Sequence, residues 1–132
     1  MKVLVLVVDD EPDIEALFRQ QFRRDLRQAR FAMDFATSGP QALGLIATCE
    51  GRDIILLLSD VNMPGMSGFD LLERARALRP DLPVVMITAY DDAATRQRAA
   101  AAGAAGLIAK PIDFAELRAE IDRRLLARNP AR

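Results

Sequence analysis

Three acidic side chains, one hydroxyl and one ammonium carry the chemical interest of this 132-residue chain. Asp9 and Asp10 follow the apolar run Val3 to Val8, and Asp60 follows the run Ile54 to Leu58. Thr88 ends a third run at Val84 to Ile87, and Lys110 ends a fourth at Leu107 to Ala109. If each run is a strand of one parallel sheet, the residues at the strand ends share an edge, however far apart they stand in the chain. Like-charged carboxylates in one crevice repel unless they share a cation, and oxygen-only ligands favour a hard ion such as Mg2+ over zinc. With the ammonium added, the group suits a dianionic ligand, above all a phosphoryl, and offers a carboxylate as nucleophile.

The elements that must position these groups alternate. The unbroken apolar runs, with a weaker one at Phe31 to Ala36, are what strands covered on both faces look like. Between them lie helical patterns. Ile14, Leu17, Phe18, Phe22 and Leu26 mark one face of a first helix, with acids at its start and Arg23, Arg24 and Arg27 towards its end, in keeping with the helix dipole. Ser38 is placed to cap a second helix with Pro40 in its first turn. A third carries Leu71, Leu72, Ala75 and Leu78 and stops near Pro80. A fourth, alanine-rich, covers Ala93 to Ala102 and ends at Gly103. The fifth opens at Asp113, with Glu116 three residues on, and buries Leu117, Ile121 and Leu125. The expected fold is α/β, a (βα)5 open doubly wound sandwich.

Composition removes whole classes of function. The chain has no histidine, so Ser-His-Asp or Cys-His catalysis and His-ligated metals are excluded within it. The single cysteine, Cys49, permits neither an intramolecular disulfide nor a cysteine zinc site; it reads as an inert core or helix-end residue in a reducing, cytoplasmic setting. Eighteen basic against nineteen acidic residues give a net charge of -1, which argues against direct nucleic-acid binding and a polybasic membrane anchor. No run reaches the roughly 18 apolar residues of a membrane helix. The expected organisation is one domain over residues 1–128 with a short tail at 129–132.

Each candidate residue also has an ordinary explanation. Asp9 and Asp10 singly suit a solvated loop leading into a helix, and Asp60 with Asn62, Pro64 and Gly65 has a normal turn composition. Thr88 is unremarkable in a strand. Lys110 reverses the balance, because among the 18 basic residues only Lys2 and Lys110 are lysine. A compact ammonium serves a point-charge role that a forked guanidinium does not replace.

The motifs V-V-D-D-E-P (Val7 to Pro12), S-D-V-N-M-P-G-M-S-G (Ser59 to Gly68), I-T-A-Y (Ile87 to Tyr90) and A-K-P (Ala109 to Pro111) resemble the receiver domain of two-component response regulators. Four motifs in order, each at the end of an expected strand, are far more specific than any single match. The resemblance implies a five-stranded parallel sheet of order 2-1-3-4-5, as in chemotaxis receivers and flavodoxin. It implies that Asp60 accepts a phosphoryl group from a histidine kinase or histidine phosphotransfer protein. Asp10, Asp60 and the backbone carbonyl of Asn62 would ligate Mg2+, and Asp9 would act through a metal-bound water. Lys110 and Thr88 would stabilise the phosphoryl. The face formed by the fourth helix, fifth strand and fifth helix would switch, with a homodimer as one outcome.

Two features depart from that pattern. Leu107 stands where the family often has a switch aromatic, and Tyr90, two residues beyond Thr88, is the candidate to replace it or to shield the phosphoryl from water. The stretch from Asp10 to Asp60 is also a few residues longer, which points to the arginine-rich end of the first helix and the turn near Glu50 to Asp53. Two other readings stand beside this one. One is a dimerising regulatory module from a longer regulator with a DNA-binding or enzymatic output domain. The other is an Asp-nucleophile, metal-dependent phosphohydrolase of the haloacid dehalogenase type, disfavoured because D-D-E-P does not fit D-x-D-x-[TV]. On the receiver reading the chain is a signalling phospho-acceptor, not an enzyme on a free metabolite.

Overall fold

Aliphatic runs with no polar alternation form the strands here because helices cover both sides of the sheet. A computed structural model describes residues 2–48 and 52–128. Among these, β1 (Lys2–Val8), β2 (Ala32–Ala36), β3 (Arg52–Asp60), β4 (Val84–Thr88) and β5 (Gly106–Ala109) pair in parallel in the order β2-β1-β3-β4-β5. The helices are α1 (Ile14–Gln21), α2 (Arg23–Arg27), α3 (Gly39–Ala47), α4 (Gly68–Leu78), α5 (Ala93–Ala101) and α6 (Phe114–Arg128).

Successive side chains of a strand face opposite sides, so each strand feeds two cores. Leu4, Leu6, Val8, Leu57 and Met86 pack with Ala42 and Ile46 of α3, Leu71, Leu72 and Ala75 of α4 and Ala99 of α5. Val5, Val7, Leu56, Leu58, Val85 and Ile108 pack with Phe18, Phe22, Leu117 and Ile121 from the α1, α2 and α6 side. Each such side chain taken fully out of water contributes about 1.5–3 kcal/mol. Phe18 meets Phe35 and Phe114 edge-on, and Phe22 meets Phe31 and Phe114 in the same way.

Local signals set the helix starts. The Ser38 hydroxyl accepts from Gln41 N at 3.3 Å, with Pro40 in the first turn. Ser67 and Asp70 form a reciprocal capping box on α4, and Asp92 Oδ1 accepts from Thr95 N at 2.7 Å at the start of α5. Asp113 Oδ1 accepts from Ala115 N and Glu116 N, and α5 is followed by Gly103 at φ +90°.

Two expectations need correction. The first helix is not continuous: Phe22 adopts φ -108°, ψ 20°, dividing it into α1 and α2. The bonds from Phe22 N to Phe18 O and from Leu26 N to Phe22 O persist, so the apolar stripe stays in phase across a kink. Leu17 and Leu78, assigned to apolar stripes, are 39% and 50% exposed, because each lies at the margin of its helix's buried face. Cys49, the residues 129–132 and part of the turn at 50–53 lie outside the described residues. No helix among the described residues is long and apolar enough to cross a membrane.

Candidate functional site

The carboxyl ends of β1, β3, β4 and β5 meet along one edge of the sheet. Asp9 N donates to Ala36 O, Val61 N to Ile87 O and Lys110 N to Thr88 O, so each strand end is tied to its neighbour where the functional side chains emerge. Asp9 is 3% exposed and Asp60 5%, whereas Asp10 faces solvent. One carboxylate oxygen from each of the three lies within 4.8 Å of the others. Lys110 Nζ donates to Asp60 Oδ2 at 3.2 Å and stands 3.8 Å from Asp9 Oδ2. The predicted acids and the lysine therefore converge from positions a hundred residues apart.

The charges in this crevice explain one another. Burial pushes the Asp9 carboxyl above the usual carboxylate range and the Asp60 charge adds to the rise, against the Glu11 N–H it accepts at 2.9 Å and the nearby ammonium. Burial alone would lower the Lys110 pKa, but the Asp60 and Asp9 charges and the Asp60 hydrogen bond outweigh it and hold the ammonium above its ordinary value. One lysine facing three carboxylates leaves an anionic site. Its hard oxygen donors fit a divalent cation of the Mg2+ class, and the open Asp10 side gives such an ion access.

Asn62 is exposed, and its N–H reaches towards Asp60 Oδ1 at 3.4 Å, placing its backbone beside the carboxylate. Thr88 is fully buried and its hydroxyl accepts from Tyr90 N at 2.9 Å, so in this structure it is bonded to its own loop rather than to Asp60. Tyr90 is 64% exposed and, with Asn62, Phe69, Thr88 and Arg98, lines a cavity of about 310 Å3 next to the carboxylates. Leu107 is half-buried, in register with Met86, and packs into the core on the α3, α4 and α5 side.

Sequence reasoning missed three contributors. Glu11, read as a helix-start acid, places Oε1 3.9 Å from Lys110 Nζ. Ser59, wholly buried, donates its hydroxyl to the Asp60 carbonyl at 3.1 Å. Gly68 donates its N–H to Val61 O at 2.8 Å, and a Cβ there would press on the Asp60 carbonyl oxygen and stand 2.8 Å from Val61 Cα. Only Gly68 left a usable signal, a glycine directly after the capping serine of α4.

Comparison with known proteins agrees with this geometry. The chain is 37% identical over 128 residues to the response regulator protein PilR of Pseudomonas aeruginosa, covering 95% of this chain and 26% of that protein. It is 37% identical to the transcriptional activator protein IrlR of Burkholderia pseudomallei, covering 97% of this chain and 52% of that one. The chain thus spans about a quarter to a half of the curated relatives it matches. Among solved structures, a CheY-like receiver domain protein from Methanospirillum hungatei superposes over the whole of both chains with TM-score 0.82 at 26% identity. The Vibrio cholerae chemotaxis protein CheY4 does so over 93% of this chain and 98% of its own, with TM-score 0.79 at 27% identity. The model of the response regulator receiver domain matches residues 5–122, nearly the whole sheet and its helices, and the chain belongs to that family.

Proposed function

We propose that Asp60 is the phospho-acceptor of a cytoplasmic receiver that takes its phosphoryl group from a phosphohistidine on a kinase or phosphotransfer protein. The observation that carries this reading is the convergence of Asp9, Asp10, Asp60 and Lys110 at one strand edge. An Asp60 carboxylate oxygen attacks phosphorus, the oxygen–phosphorus bond forms as the phosphorus–nitrogen bond breaks, and the partner's imidazole leaves. Asp10, Asp60 and the Asn62 carbonyl, with Asp9 through a water, would hold Mg2+, which would neutralise charge on the phosphoryl oxygens. Lys110 follows the negative charge from the Asp60 carboxylate to the phosphoryl. Thr88 exchanges its loop bond for one to a phosphoryl oxygen, drawing the β4–α5 loop inward.

With Leu107 in place of an aromatic, Tyr90 is the exposed aromatic bonded through its N–H to the Thr88 hydroxyl. From the cavity it shares with Asn62 and Thr88 it shields the acyl phosphate from water, so Tyr90→Ala shortens the phosphoryl half-life. An unchanged half-life counts against this role.

The output is a change on the α5–β5–α6 face, and the share of the curated relatives that this chain covers favours a regulatory module working with another segment or a second copy. The chain acts on itself and does not turn over free phosphate esters. Gel filtration and thermal melts with and without beryllofluoride and Mg2+ test the switch. The expected result is a change in elution or in thermal midpoint that needs both additives and is lost in Asp60→Asn. The same response in Asp60→Asn contradicts the assignment, and sustained hydrolysis of p-nitrophenyl phosphate favours the phosphohydrolase.

A further inference from the structure

On the opposite side of the sheet from α4, the end of α1, the short helix α2 and α6 line a second, half-open polar cavity of about 720 Å3. Arg23, Arg24, Arg27 and Arg118 line it, together with three glutamines and Asp25, and none of its lining residues is aromatic. Asp25 is 5% exposed and already bound by two guanidiniums: Arg118 Nη1 on one carboxylate oxygen and Arg30 Nη1 on the other. Arg118 is further fixed by donating to Gln21 O at 3.1 Å and by lying over the Phe22 ring at 4.9 Å. Arg30 also pairs with Asp122 at 2.7 Å. The wall's one carboxylate is thereby neutralised.

Arg23, Arg24 and Arg27 are exposed and form no ion pair among the described residues. Arg27 stands three residues from Arg24 and four from Arg23, which brings the three to one side of α2, where like charges repel. Three unpartnered guanidiniums facing one concavity, with a fourth locked in position, form an anion receptor. Guanidinium forks match phosphate oxygens in bidentate fashion. The cavity has the size of a small-ligand pocket rather than of a groove for a docked helix.

We infer that this cavity binds the phosphate chain of a compact polyphosphate, either inorganic or carried by a nucleoside di- or triphosphate. With no aromatic side chain to stack a base, the site reads phosphate and not the nucleobase. The inference does not depend on the phospho-acceptor reading, since the cavity shares no residue with the carboxylate cluster.

Isothermal titration calorimetry on the whole chain, in EDTA so that no divalent ion bridges the carboxylates, tests it with inorganic tripolyphosphate and ATP. Tripolyphosphate is expected to bind with one-to-one stoichiometry and ATP no more tightly, while sulfate at equal ionic strength does not compete. Arg23→Gln with Arg27→Gln removes charge-assisted hydrogen bonds and weakens binding by about tenfold or more. These side chains are exposed and unpaired, so the double variant is no less stable in urea than the parent, and Arg96→Gln, with its partner Asp91 on the other side of the molecule, keeps the parent's affinity. Failure of tripolyphosphate to bind, unchanged affinity in the double variant, or tighter binding of a poly-glutamate peptide overturns the proposal. ATP binding well above tripolyphosphate also contradicts it, because the base would then be recognised.

Discussion

Asp9 is the residue at which stability and function pull hardest against each other. It is 3% exposed, has its pKa raised chiefly by burial, and shares Lys110 with Asp60. An acid whose folded pKa exceeds its unfolded value destabilises the fold at neutral pH, a penalty relieved as pH falls through the folded pKa. Asp9→Asn keeps an oxygen for the Glu11 N–H and removes the charge. It is expected to raise unfolding free energy at pH 7 without metal by about 0.5–2 kcal/mol, and to lose stabilisation by added Mg2+. Urea melts with and without Mg2+ check both effects, and a variant less stable than the parent in EDTA would show that the carboxylate charge is needed for folding. At this scale the acids, Thr88 and Lys110 were legible because their types are improbable together at four strand ends. Glu11 was not, because an acid before a helix already has a sufficient explanation in the helix dipole. Nor was the Thr88 bond to Tyr90 N, which depends on how the β4–α5 loop is wound.

Among the elements, α4 is held tightly against the end of the strand that carries Asp60, and the contact is backbone on backbone. Gly68 opens α4 against the Asp60 carbonyl and Val61 Cα, so no side chain is tolerated without moving the strand that carries Asp60. Gly68→Ala is expected to cost about 1–3 kcal/mol by overpacking and to slow phosphorylation. Gly44, in the middle of α3, behaves in the opposite way: a Cβ there would meet no atom within 4 Å, and Gly44→Ala adds about 0.5–1 kcal/mol through helix propensity. Parallel urea titrations separate the two, and equal effects would refute the close-approach argument. The strands were legible as unbroken aliphatic runs and the helices from their caps, as at Ser38 and Asp113. The kink at Phe22 was not, because Ile14, Phe18, Phe22 and Leu26 keep a four-residue spacing straight through it. The exposure of Leu17 and Leu78 was also hidden, since periodicity marks a face but not its margin.

Across the whole molecule, charge links the two faces of the sheet to different conditions. Asp25 joins α2 to the turn before β2 through Arg30 and to α6 through Arg118. Burial opposes its ionised form, but the hydrogen bonds from Arg118 and Arg30 prevail and hold its pKa below the usual carboxylate value. A depressed folded pKa contributes stability that is fully present above the unfolded value of about 3.9 and is lost as pH falls through the folded one. Asp25→Asn is therefore expected to lower stability at pH 7 by about 1–3 kcal/mol, the partly exposed arginines moderating the loss, and to flatten the decline below pH 4. Parallel curves for parent and variant across that range would show that the pair contributes nothing. The order of the strands followed from the family resemblance rather than from periodicity, which cannot rank strands in a sheet. That order makes the carboxylate cluster, and so the account rests on Asp60. Intact and fragment mass spectrometry after incubation with acetyl phosphate and Mg2+ tests it most directly: the parent gains the mass of one phosphoryl group, mapped to Asp60, and Asp60→Asn gains none. A parent that gains no phosphoryl group, or an Asp60→Asn variant that gains the same one, would contradict the account.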